Sequence, residues 1–389
     1  MTAATPEPFR IAVSEAVLED LQARLGRTRL PDEVPGAGWE YGTERAFLQA
    51  LLEYWLERYD WRAQERELNN LAQYRASVDG MRLHFIHESG ANPDALPVLL
   101  LHGWPSSPFE FARVIPLLGA RGGAVQGHRT AAGFPLVAPS LPGYGFSDRV
   151  ARRGVNVQFM AELFCKLMTE VLGYRRFVVH GGDWGAVIAS RMAEAYRSEV
   201  VGLHLSMVPV GASQTPQGTE LSAEEKVFLG DLDRFRRLES GYQWIQGTKP
   251  QTLGYALNDS PAGLCAWIVE KYRTWSDCRG DIERRFTKDQ LLTAVMIYWV
   301  TETINSSIRL YYEFRQRPWL PDSGPRIETP TGVAVFPAEI VRPPRAWVER
   351  IFNLRRWTVM PRGGHFAALE EPQMLADDLR AFATEIGAG

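Results

Sequence analysis

The residues best suited to chemistry lie around Asp183, in the stretch FVVHGGDWG at 177–185. A β-branched run leads into paired glycines, and an apolar run with helical character follows at 186–196. This order is typical of a nucleophile elbow, a strained strand-to-helix turn that exposes one side chain above a sheet. In serine hydrolases that side chain is Ser. A carboxylate is already ionised at neutral pH, so Asp183 can attack a saturated carbon without a base, and water must then cleave the resulting ester. The stretch therefore indicates action on epoxides or alkyl halides.

Two later residues, Glu339 and His365, supply the partners that such a nucleophile needs. Each follows a predicted strand, at 333–336 and 357–360 respectively. Loops that follow parallel strands meet at one edge of a sheet, and the order nucleophile, acid, histidine is that of a known catalytic triad. We expect Glu339 to orient His365, which activates the water. Asp322 and Glu328 are alternative acids, but they precede the strand instead of following it.

A second loop, HGWP at 102–105, follows an early predicted strand at 98–101. The backbone N–H of Trp104 can point at the oxygen that becomes anionic when the ester is hydrolysed. The N–H of Trp184, directly after the nucleophile, is the second predicted donor. These two groups would form an oxyanion hole.

The elements that must position these residues alternate between strands and helices from residue 76 onward. A strand is predicted at 82–87, after the turn at Asp79-Gly80. Predicted strands at 98–101, 136–138, 177–179 and 201–205 are short and almost wholly apolar, as expected for a buried parallel sheet. We predict a crossover helix at 159–172, a closing helix at 372–386 and a mainly helical, aromatic-rich lid at 209–321. The first 75 residues predict helices, with Ser14 and Thr43 as caps.

Several further motifs make the pattern specific to one family. They are LPGYGFS at 141–147, FPAE at 336–339, RGGHF at 362–366, ESGY at 239–242, QGTKP at 246–250 and ALNDSP at 256–261. With HGWP and GGDWG, they make the chain similar, over nearly its whole length, to soluble bacterial members of the microsomal-type epoxide hydrolases in the α/β-hydrolase superfamily. The resemblance implies an α/β-hydrolase fold, with a mostly parallel central sheet and helices on both faces. It divides the chain into a helical meander (1–75), two parts of the core (76–208 and 322–389) and a lid inserted between late strands (209–321).

The resemblance also implies that two lid tyrosines hold the epoxide oxygen. By local motif they are Tyr242 and Tyr311, although Tyr312 is an adjacent alternative for the second. Ring opening expels an alkoxide, a poor leaving group unless it is protonated, and a phenol is a suitable acid near neutral pH. With Trp104 and Trp184, these tyrosines are the predicted substrate-binding residues.

The predicted activity is hydrolysis of an epoxide to a vicinal diol through an ester on Asp183, with no cofactor and no metal. The substrate is expected to be a small apolar epoxide, and its place in natural-product biosynthesis or detoxification stays open. A haloalkane dehalogenase is the nearest alternative, since it also uses an elbow Asp followed by Trp. A non-catalytic binding module on the same fold is the third.

Composition sets the remaining limits. The 389 residues carry a formal charge of −3 and no basic tract, so no nucleic-acid partner is expected. Three cysteines without a CxxC pair argue against a disulfide framework or a zinc site. His84 and His87 are predicted to face opposite sides of a strand and make a poor metal pair. The first ten residues lack an apolar run, so no membrane anchor and a cytoplasmic location are expected. A homodimer is the default expectation if the enzyme associates.

An aromatic cluster is predicted to form the lid core: Trp244, Trp267, Tyr272, Trp275, Tyr298 and Trp299.

Overall fold

A nine-stranded sheet lies at the centre of the computed structural model, which describes residues 5–92, 94–119, 133–210, 220–321 and 324–387. The strands are β1 (Glu7–Pro8), β2 (Gln73–Val78), β3 (Met81–Glu88), β4 (Val98–Leu101), β5 (Leu136–Pro139), β6 (Phe177–Gly181), β7 (Val200–Leu205), β8 (Ile327–Val335) and β9 (Phe352–Val359). Their spatial order is β1-β2-β3-β5-β4-β6-β7-β8-β9. The neighbouring pairs β1–β2, β2–β3 and β3–β5 are antiparallel, and all the others are parallel. The sheet is therefore mostly parallel, as predicted.

Fifteen α-helices surround this sheet in the described part of the chain. Those before the lid are α1 (Glu15–Leu25), α2 (Arg45–Glu57), α3 (Trp61–Leu68), α4 (Val114–Gly119), α5 (Val157–Lys166) and α6 (Asp183–Ala195). The lid helices are α7 (Ala223–Leu238), α8 (Gly241–Thr248), α9 (Pro250–Asp259), α10 (Pro261–Trp275), α11 (Lys288–Thr301) and α12 (Ile304–Gln316). The last three are α13 (Arg345–Ile351), α14 (Ala367–Glu370) and α15 (Pro372–Gly387). None of the described helices is long and apolar enough to cross a membrane.

The central strands are buried because apolar side chains occupy both of their faces. Every residue of β4, β5 and β6 is buried, which matches the predicted runs. Strands β8 and β9 are longer than predicted, since polar residues interrupt their apolar pattern. In β8 the buried Thr329 hydroxyl donates to the carbonyl of Ala193, and in β9 Arg356 pairs with Asp378. The predicted crossover helix ends in a π-helical turn at Leu167–Val171.

The N-terminal segment adds edge strands to the sheet and helices to the lid. Strand β1 and the start of β2 fall in a stretch that was predicted to be helical, because such short edge strands leave little period-two pattern. The prediction that Thr43 caps a helix is wrong: helix α2 has Glu44 at its N-cap, and the Thr43 hydroxyl donates instead to the carbonyl of Ala266 at 2.8 Å. Ser14 does occupy the N-cap of α1, without a side-chain capping bond.

The lid helices α7–α12 lie between β7 and β8 in the chain. Helix α12 packs against α8 and α9, while α10 and α11 contact the N-terminal helices. Most of the predicted aromatic cluster is buried, but Trp244 is 58% exposed, with the Arg315 guanidinium over its ring. Its place in the lid core was therefore wrongly predicted. The four-part division of the chain stays a prediction.

Candidate active site

Asp183 lies at a sharp turn between β6 and α6. Its φ of 46° is in the left-handed region, which is unfavourable for a residue with a side chain. The turn depends on glycines on both sides. A Cβ on Gly185 would lie 1.9 Å from the carbonyl oxygen of Leu101, and one on Gly181 would lie 2.3 Å from that of Gly185. The geometry is that of a nucleophile elbow, with its strained residue held above the end of the sheet.

The HGWP loop after β4 meets the Asp183 carboxylate. The backbone N–H of Trp104 donates to Oδ1 of Asp183 at 2.8 Å. Gly103 permits this approach, because a Cβ there would lie 2.3 Å from Asp183 Cβ. Trp184 is in the first turn of α6, where N–H groups have no intrahelical acceptor. The Trp104 N–H therefore binds one carboxylate oxygen and leaves Oδ2 for chemistry.

His365 lies between two carboxylates that come from different loops. Its Nδ1 is 2.8 Å from Oε1 of Glu339, and its Nε2 is 3.4 Å from Oδ2 of Asp183. A parallel bridge between Ala338 and Gly364 joins the loops after β8 and β9. The N–H of His365 also donates to the carbonyl of Trp275 at the end of α10. The ring is thus fixed by the sheet on one side and the lid on the other.

The two carboxylates control the charge of His365. Burial by itself lowers the pKa of the imidazole, but the charges and hydrogen bonds of Glu339 and Asp183 outweigh burial and hold the pKa well above its ordinary value. His365 is therefore protonated in the resting site. Loss of the negative charge on Asp183 removes part of that support.

Two tyrosines from the lid pack on the tryptophans that flank Asp183. The ring of Tyr242, from α8, stacks on Trp104 with centroids 5.5 Å apart and an interplanar angle of 9°. Tyr311, from α12, packs edge-on against Trp184 at 4.8 Å. The two tyrosine rings are 5.9 Å apart, and both side chains are buried. Burial, with the nearby charge of Asp183, raises the pKa of both phenols. Both therefore remain protonated and able to donate.

The structure places the predicted residues together, and it separates the alternatives from them. Asp183, Glu339, His365 and the tyrosine pair form one connected site, joined by Trp104 and Trp184. Tyr312 is 38% exposed, so its neighbour Tyr311 is the tyrosine in this site. Glu328 is exposed on β8, beside Arg326, and Asp322 lies outside the described residues.

Two residues near the site, Glu110 and Trp275, were not predicted from the sequence to lie there. Glu110, in a 3₁₀ helix at Pro108–Arg113, borders a small cavity beside Asp183 and His365. Trp275 packs edge-on against His365 at 5.2 Å. The only signal for Glu110 in the sequence is its position five residues after HGWP, and a single Glu at that distance matches no known motif. Trp275 was recognised only as a core aromatic.

Other buried histidines are held by hydrogen bonds to the protein. His84 contacts Ser140 at 2.9 Å and Gln73 at 3.0 Å, and burial lowers its pKa to about 3. His180 bonds to His204 at 3.0 Å, and His204 in turn bonds to Asp378. Within the described ranges, no group of three or more His, Cys, Asp or Glu side chains is arranged to hold a metal ion.

The fold and this site define a class: an α/β-hydrolase with an aspartate at the elbow and tyrosines in the lid. Residues 6–111 match the family described as epoxide hydrolase N terminus, and residues 98–378 match the alpha/beta hydrolase family. The chain is 42% identical over 377 residues to the "Putative epoxide hydrolase" of Stigmatella aurantiaca, covering 96% of this chain and 83% of that protein. It is 38% identical over 406 residues to epoxide hydrolase 1 of Oryctolagus cuniculus, covering 96% and 88%.

A solved structure agrees with the sequence relatives. The juvenile hormone epoxide hydrolase from the silkworm Bombyx mori superimposes with a TM-score of 0.89 at 33% identity, over 99% of this chain and 95% of that one. The chain therefore belongs to the microsomal-type epoxide hydrolase family of the α/β-hydrolase superfamily. It is an epoxide hydrolase, as the motifs predicted.

Proposed function

We propose that this enzyme opens epoxides through a covalent ester on Asp183, with the roles that the site geometry supports. The observation that carries the proposal is the position of Asp183. One carboxylate oxygen accepts the N–H of Trp104, while the other lies 3.4 Å from a histidine that is bound to Glu339. Such a pair suits a nucleophile and the base that later regenerates it.

In the first step Oδ2 of Asp183 attacks one epoxide carbon. The C–O bond of the ester forms as the ring C–O bond breaks, and the ring oxygen takes a proton from Tyr242 or Tyr311. Two buried phenols suit this step because both hold their protons at neutral pH and lie beside the tryptophans that flank Asp183.

Once Asp183 is an ester, His365 loses its proton and the tyrosinate left by the first step regains one. In the second step water attacks the Asp183 carbonyl carbon, and Nε2 of the now neutral His365 takes a proton from it. The N–H groups of Trp104 and Trp184 stabilise the oxyanion. Collapse expels the diol, whose leaving oxygen receives the proton from His365. Asp183 retains the oxygen of the water and gives its proton to His365, which restores the resting ion pair. Water and epoxide are thus converted into one diol.

The substrate class follows from the lining of the site. Aromatic rings of Trp104, Trp184, Tyr242 and Tyr311 enclose the reacting groups, with Phe314 packed against Trp184 at 5.1 Å. Such a lining favours apolar epoxides. The tyrosine pair has no task in the displacement of a halide, which disfavours a dehalogenase, and the completeness of the site disfavours a binding module. A cytoplasmic location, a homodimer and a biosynthetic or detoxifying role remain predictions.

Oxygen labelling tests the covalent route. With enzyme in excess and a single turnover in ¹⁸O-water, the diol should contain no label, because its new oxygen comes from Asp183. After many turnovers, mass spectrometry should find ¹⁸O in the peptide that carries Asp183. Direct attack by water would instead label the diol in the first turnover and leave Asp183 unlabelled.

A further inference from the structure

A small cavity lies directly beside the reacting groups of the site. It has a volume of about 20 Å³, and Asp183 and His365 form part of its wall together with Ser106 and Glu110. This volume admits one water molecule, and polar groups line it, which is what an ordered internal water needs. Neither the triad nor the tyrosine pair explains why a carboxyl group forms part of this wall.

Glu110 is held in this wall by a short 3₁₀ helix, Pro108–Arg113, that follows the HGWP loop. Protein atoms surround its carboxyl group, although it keeps some accessible surface, as expected for a side chain at the edge of a cavity. Burial raises the pKa of Glu110 to about 8, the Ser106 side chain and His365 lower it, and the charge of Asp183 raises it further. Glu110 is therefore mostly uncharged at neutral pH.

We propose that Glu110 is a positioning residue for the hydrolytic water. Its carboxyl group accepts a hydrogen bond from the water in this cavity, while His365 removes the other proton of that water. The inference rests on the proposed ester mechanism, because it concerns only the second step. A water bound in this way has two fixed hydrogens, which directs its remaining lone pair toward the carbonyl carbon of the Asp183 ester.

The uncharged state of Glu110 suits this task. The attack creates an oxyanion at Asp183, and a second negative charge in the same enclosed site would oppose it. A neutral carboxylic acid still offers a carbonyl oxygen as acceptor, while its O–H can be directed to Ser106, whose side chain interacts with it. Glu110 thus holds the water without adding charge.

The test separates the two steps in Glu110→Leu, Glu110→Ala and Glu110→Gln. The probe is styrene oxide, and rapid quenching with intact-protein mass spectrometry gives the rates of ester formation and ester hydrolysis. Leu and Ala remove the acceptor, so hydrolysis should slow by roughly 10- to 100-fold while ester formation stays unchanged and ester accumulates. Gln keeps a neutral carbonyl and should restore most of the rate. The matched control is Arg113→Leu, at an exposed position of the same short helix, which should change neither step.

Each result decides between a positioning role and a structural one. Equal slowing of both steps in Leu and Ala, or no slowing, would overturn the inference, as would a Gln variant as slow as the Leu variant. If Leu fails to fold, Ala and Gln give the same comparison. If the His365→Gln enzyme forms the ester and the Glu110→Ala enzyme hydrolyses its ester at the normal rate, only the role of Glu110 is ruled out. Absence of ester in His365→Gln would remove the proposed mechanism as well.

Discussion

In the proposed mechanism, ester formation removes the carboxylate charge of Asp183 that lies beside His365. While Asp183 is ionised, its charge helps to keep His365 protonated against the effect of burial. Once Asp183 is an ester, only Glu339 still supports the proton, and the pKa of His365 falls toward a range in which it can act as a base. In the proposed mechanism, ester formation at Asp183 thus converts His365 from an ion-pair partner into a base.

The titration of His365 should therefore change in variants of its two carboxylate partners. Asp183→Asn should lower the pKa of His365 relative to the parent enzyme, and Glu339→Gln should lower it more, because the charge of Glu339 is the larger of the two supports. NMR titration of the imidazole protons measures both shifts. An unchanged pKa in both variants would contradict the charge pairing proposed here.

The tyrosine pair gives a second prediction at the same scale. Tyr242→Phe and Tyr311→Phe should each slow ester formation by roughly 10- to 100-fold, because one phenol still donates, and the double variant should lose more than about 100-fold. Tyr312→Phe is the control, since its ring is 38% exposed. Pre-steady-state kinetics with an aryl epoxide measures the step. If Tyr312→Phe slowed ester formation as much as Tyr311→Phe, the assignment of Tyr311 as a proton donor would be wrong.

At the scale of the elements, close packing at the carboxyl ends of β4 and β6 sets the elbow. The two strands pair in parallel from Val98 to Leu101, opposite Val178 to Gly181. This pairing brings the Leu101 carbonyl against Gly185, where only hydrogen fits. The strain at Asp183 is thus held in place by backbone contacts on either side of the turn.

Gly185→Ala tests this packing. Its Cβ would meet backbone, which cannot rotate away, so we expect a loss of about 1–3 kcal/mol or more in unfolding free energy and a strong loss of activity. Gly230→Ala in α7 is the control, because no atom lies within 4 Å of that Cβ and the site is exposed. It should stabilise the helix by about 0.5–1 kcal/mol. Thermal and denaturant unfolding measure both. Equal tolerance of the two alanines would contradict the account of the elbow.

The sequence predicted the buried strands and the motifs well, because continuous apolar runs and glycine pairs are local signals. Features that depend on partners far along the chain were not predictable in this way. Thr43 bonds to Ala266 instead of capping its helix, and Trp244 lies at the surface beside Arg315. The position of Glu110 in the cavity wall depends on four separate loops. No spacing rule within a single segment records such contacts.

At the scale of the whole molecule, a buried ionic cluster fixes the C-terminal part of the sheet to its last helix. Asp378, on α15, accepts hydrogen bonds from Arg356 and Thr358 of β9 and from His204 of β7. Burial alone would raise the pKa of Asp378, but these partners outweigh burial and lower it. The cluster therefore supports the strand that leads to the His365 loop.

Asp378→Ala should lower the unfolding free energy by about 1–3 kcal/mol at neutral pH, because it leaves the buried His204 and the partly buried Arg356 without their acceptor. The lowered pKa means that this stability is present above the ordinary Asp pKa and is lost as pH falls through the folded-state value. The difference from the parent enzyme should therefore shrink in acid. Asp377→Ala is the control, with its side chain 41% exposed, and should cost less than about 1 kcal/mol. Urea denaturation as a function of pH measures both, and a pH-independent difference would contradict the linkage.

The lid and the loops at the end of the sheet meet at the candidate active site. Loops after β4, β6, β8 and β9 supply the Trp104 N–H, Asp183, Glu339 and His365, while α8 and α12 supply the tyrosines. The N-terminal helices hold the lid from outside, through contacts such as the 2.9 Å bond from the Tyr54 hydroxyl to Asp289.

Mass spectrometry of the His365→Gln enzyme mixed with styrene oxide tests whether Asp183 is the nucleophile. Without its base the enzyme should form the ester and fail to hydrolyse it. We expect a mass increase of one substrate, located on the peptide that carries Asp183 and absent from an Asp183→Asn control. An unmodified protein, or a modification at any other residue, would contradict the assignment of Asp183 as the nucleophile.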